Sequence, residues 1–144
     1  MKCNDIKADL HKKLMDAGIR PSMQRIEIFG FISSCSCHPT AEEIYTCVHR
    51  NNPSLSRATV FSNVKLLAEK GLINDINISS ESTRYDSMQH APHAHFVCRK
   101  CGKIFDIPLD MPDITMPDKF HCDSVNIYFK GICPECGKTK KTEQ

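Results

Sequence analysis

No run of this 144-residue chain is apolar for long enough to span a bilayer, so the sequence reads as a protein without membrane partners. Nor does an apolar segment precede the first helical pattern: Met1-Lys2-Cys3-Asn4-Asp5 leads straight into it. A secretory leader is therefore not expected, and a reducing, cytoplasmic location is. In that setting nine cysteines do not make a disulfide scaffold. Net charge is nearly absent too. The formal value is +2, and four cysteine thiolates holding one Zn²⁺ would bring it to zero. Binding to nucleic acid would then need a local basic face and helix N-termini, because no global field is available.

The cysteines that are present fall into a pattern. Cys98-Arg99-Lys100-Cys101-Gly102 and Cys133-Pro134-Glu135-Cys136-Gly137 are two C-x-x-C-G pairs with 31 residues between them. This is the spacing of two knuckles around a tetrahedral zinc, and a glycine after each second cysteine lets the backbone turn under the metal and aim N–H groups at sulfur. Four protein ligands close the site, so Cys98, Cys101, Cys133 and Cys136 predict a structural staple and leave the function to other residues.

Ahead of the pairs the hydrophobic period is helical. Ile6, Leu10, Leu14 and Ala17 with Gly18 mark helix one; Pro21-Ser22 opens a second carrying Ile26, Phe29 and Ile32, closed by Ser33-Ser34. Thr40-Ala41-Glu42-Glu43 is a capping box for a third helix with a stripe of Ile44, Cys47 and Val48, ended by Asn51-Asn52-Pro53. Ser56 caps a fourth, bearing Val60, Val64 and Leu67 and stopped at Gly71. Leu72, Ile76, Ile78, Thr83 and Tyr85 then alternate about Ser79-Ser80-Glu81-Ser82, as in a β-hairpin. Helices followed by a hairpin give the order of a winged helix-turn-helix.

Beyond Asp86 the composition turns to His, Cys and Pro. We expect a boundary there, with residues 1–86 forming a winged helix and 87–144 a small α/β metal-binding domain, an α+β chain overall. Strands are expected at 96–97, 104–107 and 125–129. Pro108, Pro112 and Pro117 argue against a long helix between them, and 139–144 read as a disordered polar tail.

A second donor set surrounds the first pair: His90, His93, His95 and Asp106. His93 and His95 alternate just before Cys98, so on a strand they share a face, and nitrogen and oxygen donors suit Fe²⁺, Mn²⁺ or Zn²⁺. The competing reading is a solvated polar strand. On the fourth helix, Arg57, Thr59, Ser62 and Asn63 are the exposed candidates for base contacts, with Lys65, Arg20 and Arg25 for phosphates; the same residues also suit a merely solvated face. Cys35-Ser36-Cys37-His38 allows a metal or redox role, against which stands small-residue packing, the reading given also to Cys3, Cys47 and Cys122. A zinc hydrolase or deaminase is a rival, but the deaminase H-x-E is missing, His93-Ala94-His95 standing alone. A zinc-ribbon module that binds protein through its helices is another.

Over nearly its full length the chain resembles the ferric uptake regulator (Fur) family of metal-dependent repressors. The resemblance is carried by Gly18-Ile19-Arg20-Pro21-Ser22-Met23-Gln24-Arg25, His38-Pro39-Thr40-Ala41-Glu42-Glu43-Ile44-Tyr45, Ser56-Arg57-Ala58-Thr59-Val60-Phe61-Ser62-Asn63-Val64, Arg84-Tyr85-Asp86, His93-Ala94-His95-Phe96-Val97-Cys98 and Cys101-Gly102-Lys103-Ile104-Phe105-Asp106. It implies a homodimer whose first domains, residues 1–86, bind double-stranded DNA at an AT-rich inverted repeat and whose second domains, residues 87–144, dimerise, with structural Zn²⁺ and a regulatory Fe²⁺ or Mn²⁺ held by His38, Asp86, His93, His95 and Asp106. It implies a regulator and not an enzyme. Asp86 and Asp106, where iron-sensing members tend to carry Glu, are similar to the peroxide-sensing (PerR) branch, in which iron promotes oxidation of a ligand such as His38 or His93; an iron-responsive regulator is the alternative. Ala94 and Val125 stand where iron-sensing members carry accessory-site donors, and Phe61 replaces the family's common Tyr.

Overall fold

Side-chain caps define where the second, third and fourth helices begin. The computed structural model describes residues 3–77, 82–87, 93–110, 115–122 and 125–138, which fall into two units, Met1–Gln89 and His90–Gln144. In the first unit α1 spans Cys3–Asp16, α2 Met23–Ser34, α3 Ala41–Asn51 and α4 Arg57–Glu69. Ser22 and Ser56 each accept the N–H three residues on, at 3.2 and 3.1 Å. At α3 the capping box forms in full: the Glu43 N–H donates to Thr40 Oγ1 at 3.2 Å and the Thr40 N–H donates to Glu43 Oε2 at 2.8 Å. Such caps stabilise a helix by about 1 kcal/mol each.

Two helices end in the same way. Gly18 and Gly71 adopt φ of +72° and +70°, and the residues after them, Ile19 and Leu72, donate back to Leu14 and Leu67 at 2.9 Å. That is the double hydrogen bond of a Schellman motif, and it returns Ile19 to the core. The core joins Leu10, Leu14, Ile28, Phe29, Ile32, Ile44, Val48, Leu55, Val60, Val64, Leu67 and Ile73. Each buried side chain of this size contributes about 1.5–3 kcal/mol. Ile6 departs from the expected stripe and is 47% exposed, and the buried face of α1 starts at Leu10. Cys47 is half-buried beside the stripe of α3.

Strand β1 (Ile73–Ile76) pairs antiparallel with β2 (Arg84–Ser87), from Ile73 opposite Ser87 to Ile76 opposite Arg84. Ile78 and the turn residues Ser79, Ser80 and Glu81 lie outside the described residues.

The second unit is a three-stranded sheet in the order β4-β3-β5, with β3 His93–Cys98, β4 Ile104–Pro108 and β5 Tyr128–Gly131. β4 runs antiparallel and β5 parallel to β3. The last strand begins later than the 125–129 read from sequence. Its register is fixed from the far end, where the Arg99 N–H donates to the Gly131 carbonyl at 2.8 Å and the Cys133 N–H reaches Cys98 Sγ at 3.3 Å. Val125 is left outside, 44% exposed. At Gly131 an added Cβ would stand 3.0 Å from the Phe96 ring, which would have to shift by a few tenths of an ångström to admit it. Between β4 and β5 the described residues hold no helix. A short helix, α5 (Pro134–Gly137), follows Cys133 and was not expected; proline at its first position is the signal that announces it. The tail 139–144 lies outside the described residues.

Candidate metal centres and the helix face

The cysteine site is built by the end of β3, the turn after it and α5. All four sulfurs lie within 4.8 Å of one another, with Cys98 and Cys133 fully buried. Gly102, at φ +71°, closes the first knuckle by donating to the Cys98 carbonyl at 2.9 Å. Gly137 does not repeat that turn. It is helical, and its N–H donates to the Cys133 carbonyl at 2.9 Å, so the second knuckle is closed by α5 instead of a left-handed glycine. The Cys101 and Cys133 sulfurs are 3.8 Å apart. A tetrahedral zinc with bonds of about 2.3 Å spaces its sulfurs about 3.8 Å apart, so the thiols fit that ion.

The thiols also divide their protons. The N–H of Cys133, with that of Cys101 next, pulls the Cys98 thiol down to about 6, whereas the hydrogen bond with Cys133, with burial next, pushes Cys136 up to about 12. Without metal, one thiolate sits at Cys98 and Cys136 keeps its proton. A soft dication displaces the remaining protons when it binds.

A second donor group lies on the same sheet. His93 and His95 share one face of β3, and their Nε2 atoms are 3.1 Å apart. In the β3–β4 register Asp106 stands opposite His95, and its Oδ1 lies 3.4 Å from His93 Nε2 and 3.6 Å from His95 Nε2. Nitrogen and oxygen donors bound at about 2.1 Å lie about 3.0–3.4 Å from one another, according to the angle between them; two of the three separations fall in that range and the 3.6 Å one lies just beyond it, so the three atoms converge on the place of one small dication. Tyr128 of β5 stacks on the His95 ring at 5.9 Å. These histidines do not form a solvated strand: His95 is buried, and Ala94 is buried on the opposite face. His90 lies outside the described residues.

The first unit holds a further pair. His38 and Asp86 are both buried, with His38 Nε2 3.8 Å from Asp86 Oδ1. His38 takes a left-handed φ of 49°, a conformation that costs a β-carbon residue about 1 kcal/mol or more. The surrounding structure holds it there. Arg84 Nη1 donates to the His38 carbonyl at 3.0 Å, the Tyr85 N–H donates to the Pro39 carbonyl at 3.0 Å, and Thr40 bridges to Arg84. The loop before α3 is thereby sewn to the strand that carries Asp86, whose Oδ1 accepts the Ser87 N–H at 2.8 Å.

On α4 the expected contact residues separate. Ser62 and Lys65 are exposed, but Thr59 and Asn63 are half-buried. Asn63 accepts from Arg25 Nε at 3.0 Å and donates to the Thr59 carbonyl at 2.8 Å. Arg25 also donates to the Arg20 carbonyl at 2.6 Å, which leaves Arg20 as the exposed cation of that pair. Arg57 is exposed yet engaged: both Nε and Nη2 reach Glu42 Oε2 at 2.7 Å, and its guanidinium lies 4.6 Å from the Phe61 ring centre. Phe61, in place of a tyrosine, thus orients an arginine.

The family model described as the ferric uptake regulator family matches residues 16–119 of this chain. The chain belongs to the ferric uptake regulator family. Among its relatives, the peroxide-responsive repressor PerR of Staphylococcus epidermidis is 34% identical over 131 residues, 85% of each chain. The peroxide operon regulator of Bacillus subtilis is 29% identical over 143 residues, 96% of this chain and 97% of that one. Among solved structures, the Helicobacter pylori ferric uptake regulator Fur superposes with a TM-score of 0.72 at 20% identity, over 98% of this chain and 97% of that one, a likeness of fold. PerR of Streptococcus pyogenes, a protein of peroxide sensing and gene regulation, superposes with a TM-score of 0.52 at 28% identity, over 91% and 92%.

Set beside the Fur-family pattern, three features of the site escaped the sequence reading. Arg84 and Tyr128 act on the histidines from neighbouring strands, contacts that only pairing brings about. Glu42 occupies Arg57 across 15 residues of chain. Cys35 and Cys37 are joined in a disulfide, with Cys35 half-buried and Cys37 exposed, which favours the redox alternative over packing; the bridge itself was not foreseen. Cys122 is likewise exposed. For Cys3 no side-chain position is described. No helix among the described residues is long and apolar enough to cross a membrane.

Proposed function

We propose that this protein is a dimeric, metal-dependent repressor that binds DNA and loses it on exposure to peroxide. The observation that carries the reading is the convergence of His93, His95 and Asp106 on one point beside a closed cysteine site. The cysteines take Zn²⁺ as a staple. The His and Asp donors take Fe²⁺ or Mn²⁺, with His38 and Asp86 completing the set from the first unit. Three donors on one side and two on the other are each an incomplete shell, and only six residues separate Asp86 from His93. A ligand that needs both halves restricts how they are arranged, so metal and operator favour one state and each raises affinity for the other.

When bound, Fe²⁺ supplies the one-electron chemistry by which peroxide oxidises a ligand imidazole. His38 and His93 are the imidazoles we assign to that fate. An oxidised ring no longer offers a neutral nitrogen donor, the halves separate, and repression ends. The event consumes the protein's own side chain once, so no turnover is involved and the protein is not an enzyme. The names of the relatives at 34% and 29% identity favour peroxide over iron as the signal, as do the short carboxylates Asp86 and Asp106.

The reading places α4 in the major groove of an AT-rich inverted repeat, with Ser62 and Lys65 on its open face and Arg57, Thr59 and Asn63 set by their intramolecular contacts. Arg20 and Arg25 lie toward phosphate. Homodimerisation through the second unit is supported by β5, an edge strand with Tyr128, Phe129 and neighbouring Ile132 at 37–45% exposure. A repressor of this kind works in the cytoplasm. The test is a gel-shift titration on zinc-loaded protein with an inverted-repeat duplex. We expect Mn²⁺ to tighten binding, and equal affinity with and without Mn²⁺ would refute the metal-dependent reading.

A further inference from the structure

The disulfide between Cys35 and Cys37 lies immediately before His38, and the metal site does not use it. Its two ends are fixed differently. Cys35 ends α2, its N–H donating to the Phe31 and Ile32 carbonyls at 3.1 and 3.3 Å, and Ile32 is fully buried in the core. On the other side the backbone of His38 and Pro39 is held by Arg84 and Tyr85 of β2. Only Ser36 and Cys37 connect these two anchors, and Ser36 and Cys37 are both exposed. The Cys37 N–H donates to Cys35 Sγ at 3.2 Å, which turns the chain back on itself ahead of the left-handed His38.

We infer that Cys35 and Cys37 are a reversible redox pair, oxidised by hydroperoxides and reduced by thiols, whose disulfide form holds His38 in its buried position beside Asp86. Exposure decides the roles. The Cys37 sulfur, open to solvent, attacks the O–O bond of the peroxide; an S–O bond forms, hydroxide leaves and takes the thiol proton as water, and Cys37 becomes a sulfenic acid. The half-buried Cys35 sulfur then displaces that hydroxyl, which leaves as a second water with the Cys35 proton. Two thiols lose two electrons and one hydrogen peroxide gains them. A small-molecule dithiol reverses the reaction, and a bridge with one sulfur at the surface belongs to the exchangeable class of disulfides.

The closed ring removes freedom from the residues that set the His38 backbone, so the disulfide form presents this imidazole ready-made and the dithiol form lets the loop relax. The consequence for metal binding rests on the regulatory role proposed for His38. The thiol chemistry does not.

The experiment uses zinc-loaded full-length protein with no iron, so that metal-catalysed oxidation of histidine does not occur. Hydrogen peroxide is added, free thiols are alkylated, and tryptic peptide 26–50 is sequenced by mass spectrometry. That peptide also contains Cys47. The expected product is lighter by about 2 Da at Cys35 and Cys37, labelled only at Cys47, and restored by dithiothreitol. In Cys35→Ser, dimedone should trap a sulfenic acid on Cys37. Mn²⁺ titrations of the two forms should differ, the dithiol form binding about ten-fold more weakly, and Cys37→Ser should match the dithiol form whether or not peroxide was added. Carbethoxylation of His38 in protein free of regulatory metal should run faster in the dithiol form. Two free thiols after peroxide, or a bridge from Cys37 to Cys122 of a second copy, would overturn the redox pair. Equal carbethoxylation rates in the two forms would overturn the coupling to His38 without touching the repressor reading.

Discussion

Replacing Asp106 by Asn isolates charge from shape in the regulatory site. The side chain keeps its size and its place opposite His95 on β4, but a carboxylate that faces both imidazoles becomes neutral. Asp106 is about one-third exposed, so water-like screening is the conservative choice. Even then, a carboxylate about 2.2 Å from a dication is attracted by about 4 kcal/mol. The amide oxygen and nearby water recover part of this, leaving a loss of about 2–3 kcal/mol, or about 30- to 150-fold in affinity. Calorimetric Mn²⁺ titration of zinc-loaded Asp106→Asn reads the change directly, with circular dichroism and zinc content as controls on folding. Thermal stability without regulatory metal should stay within about 0.5 kcal/mol, as for surface substitutions generally. A correctly folded variant that binds Mn²⁺ as tightly as the parent would show that the three donors do not share an ion, and the derivation from their geometry would fail.

Further outcomes follow from other parts of the molecule. In metal-free protein, Cys98 ionises near 6 and Cys136 only near 12, so ultraviolet thiolate absorbance should rise in well-separated steps. Because the Cys98 value is depressed from 9.0, its anionic form stabilises the metal-free fold fully above the unfolded value and loses that effect as pH falls through about 6; bound zinc competes with protons for the thiolates, so zinc retention should persist below that range, as dialysis at stepped pH would measure. Phe29→Ala should cost about 3–5 kcal/mol in urea unfolding, since the side chain is 1% exposed at the centre of the first core. Glu42→Ala frees Arg57 from its carboxylate and should tighten operator binding by up to about five-fold, while a surface ion pair of this kind costs the fold at most about 1 kcal/mol; weaker DNA binding with Arg57 freed would contradict its placement toward DNA.

What the sequence made legible was local. Thr40 and Glu43, Ser56, Gly18 and Gly71 act within one turn of themselves, and the helices begin and end where those residues direct. His93 and His95 were legible as a pair because a strand places alternate residues on one face. What was missed depends on partners distant in the chain. Arg25 with Asn63 and Glu42 with Arg57 give three expected DNA-contact residues partners within the fold, and neither spacing has a periodic signal. The start of β5 was misplaced because its register comes from Cys133 reaching Cys98, and alternation at 125–129 does not encode that. The Cys35–Cys37 bridge was half legible: the spacing allowed a redox role, and packing was set against it because free cysteine is often buried, while exposure is a property of the fold.

The claim that matters most is that the His and Asp donors, and not the zinc cysteines, respond to peroxide. Its most direct measurement is operator affinity of the Fe²⁺-loaded and Mn²⁺-loaded protein before and after peroxide, with masses of the peptides containing His38 and His93. The account predicts that, with the Cys35–Cys37 bridge formed in both samples beforehand, the iron form loses DNA and gains one oxygen on one of these histidines, while the manganese form keeps its affinity and gains no oxygen at either. An iron form that retains its DNA and unmodified histidines would contradict it and leave iron itself as the signal.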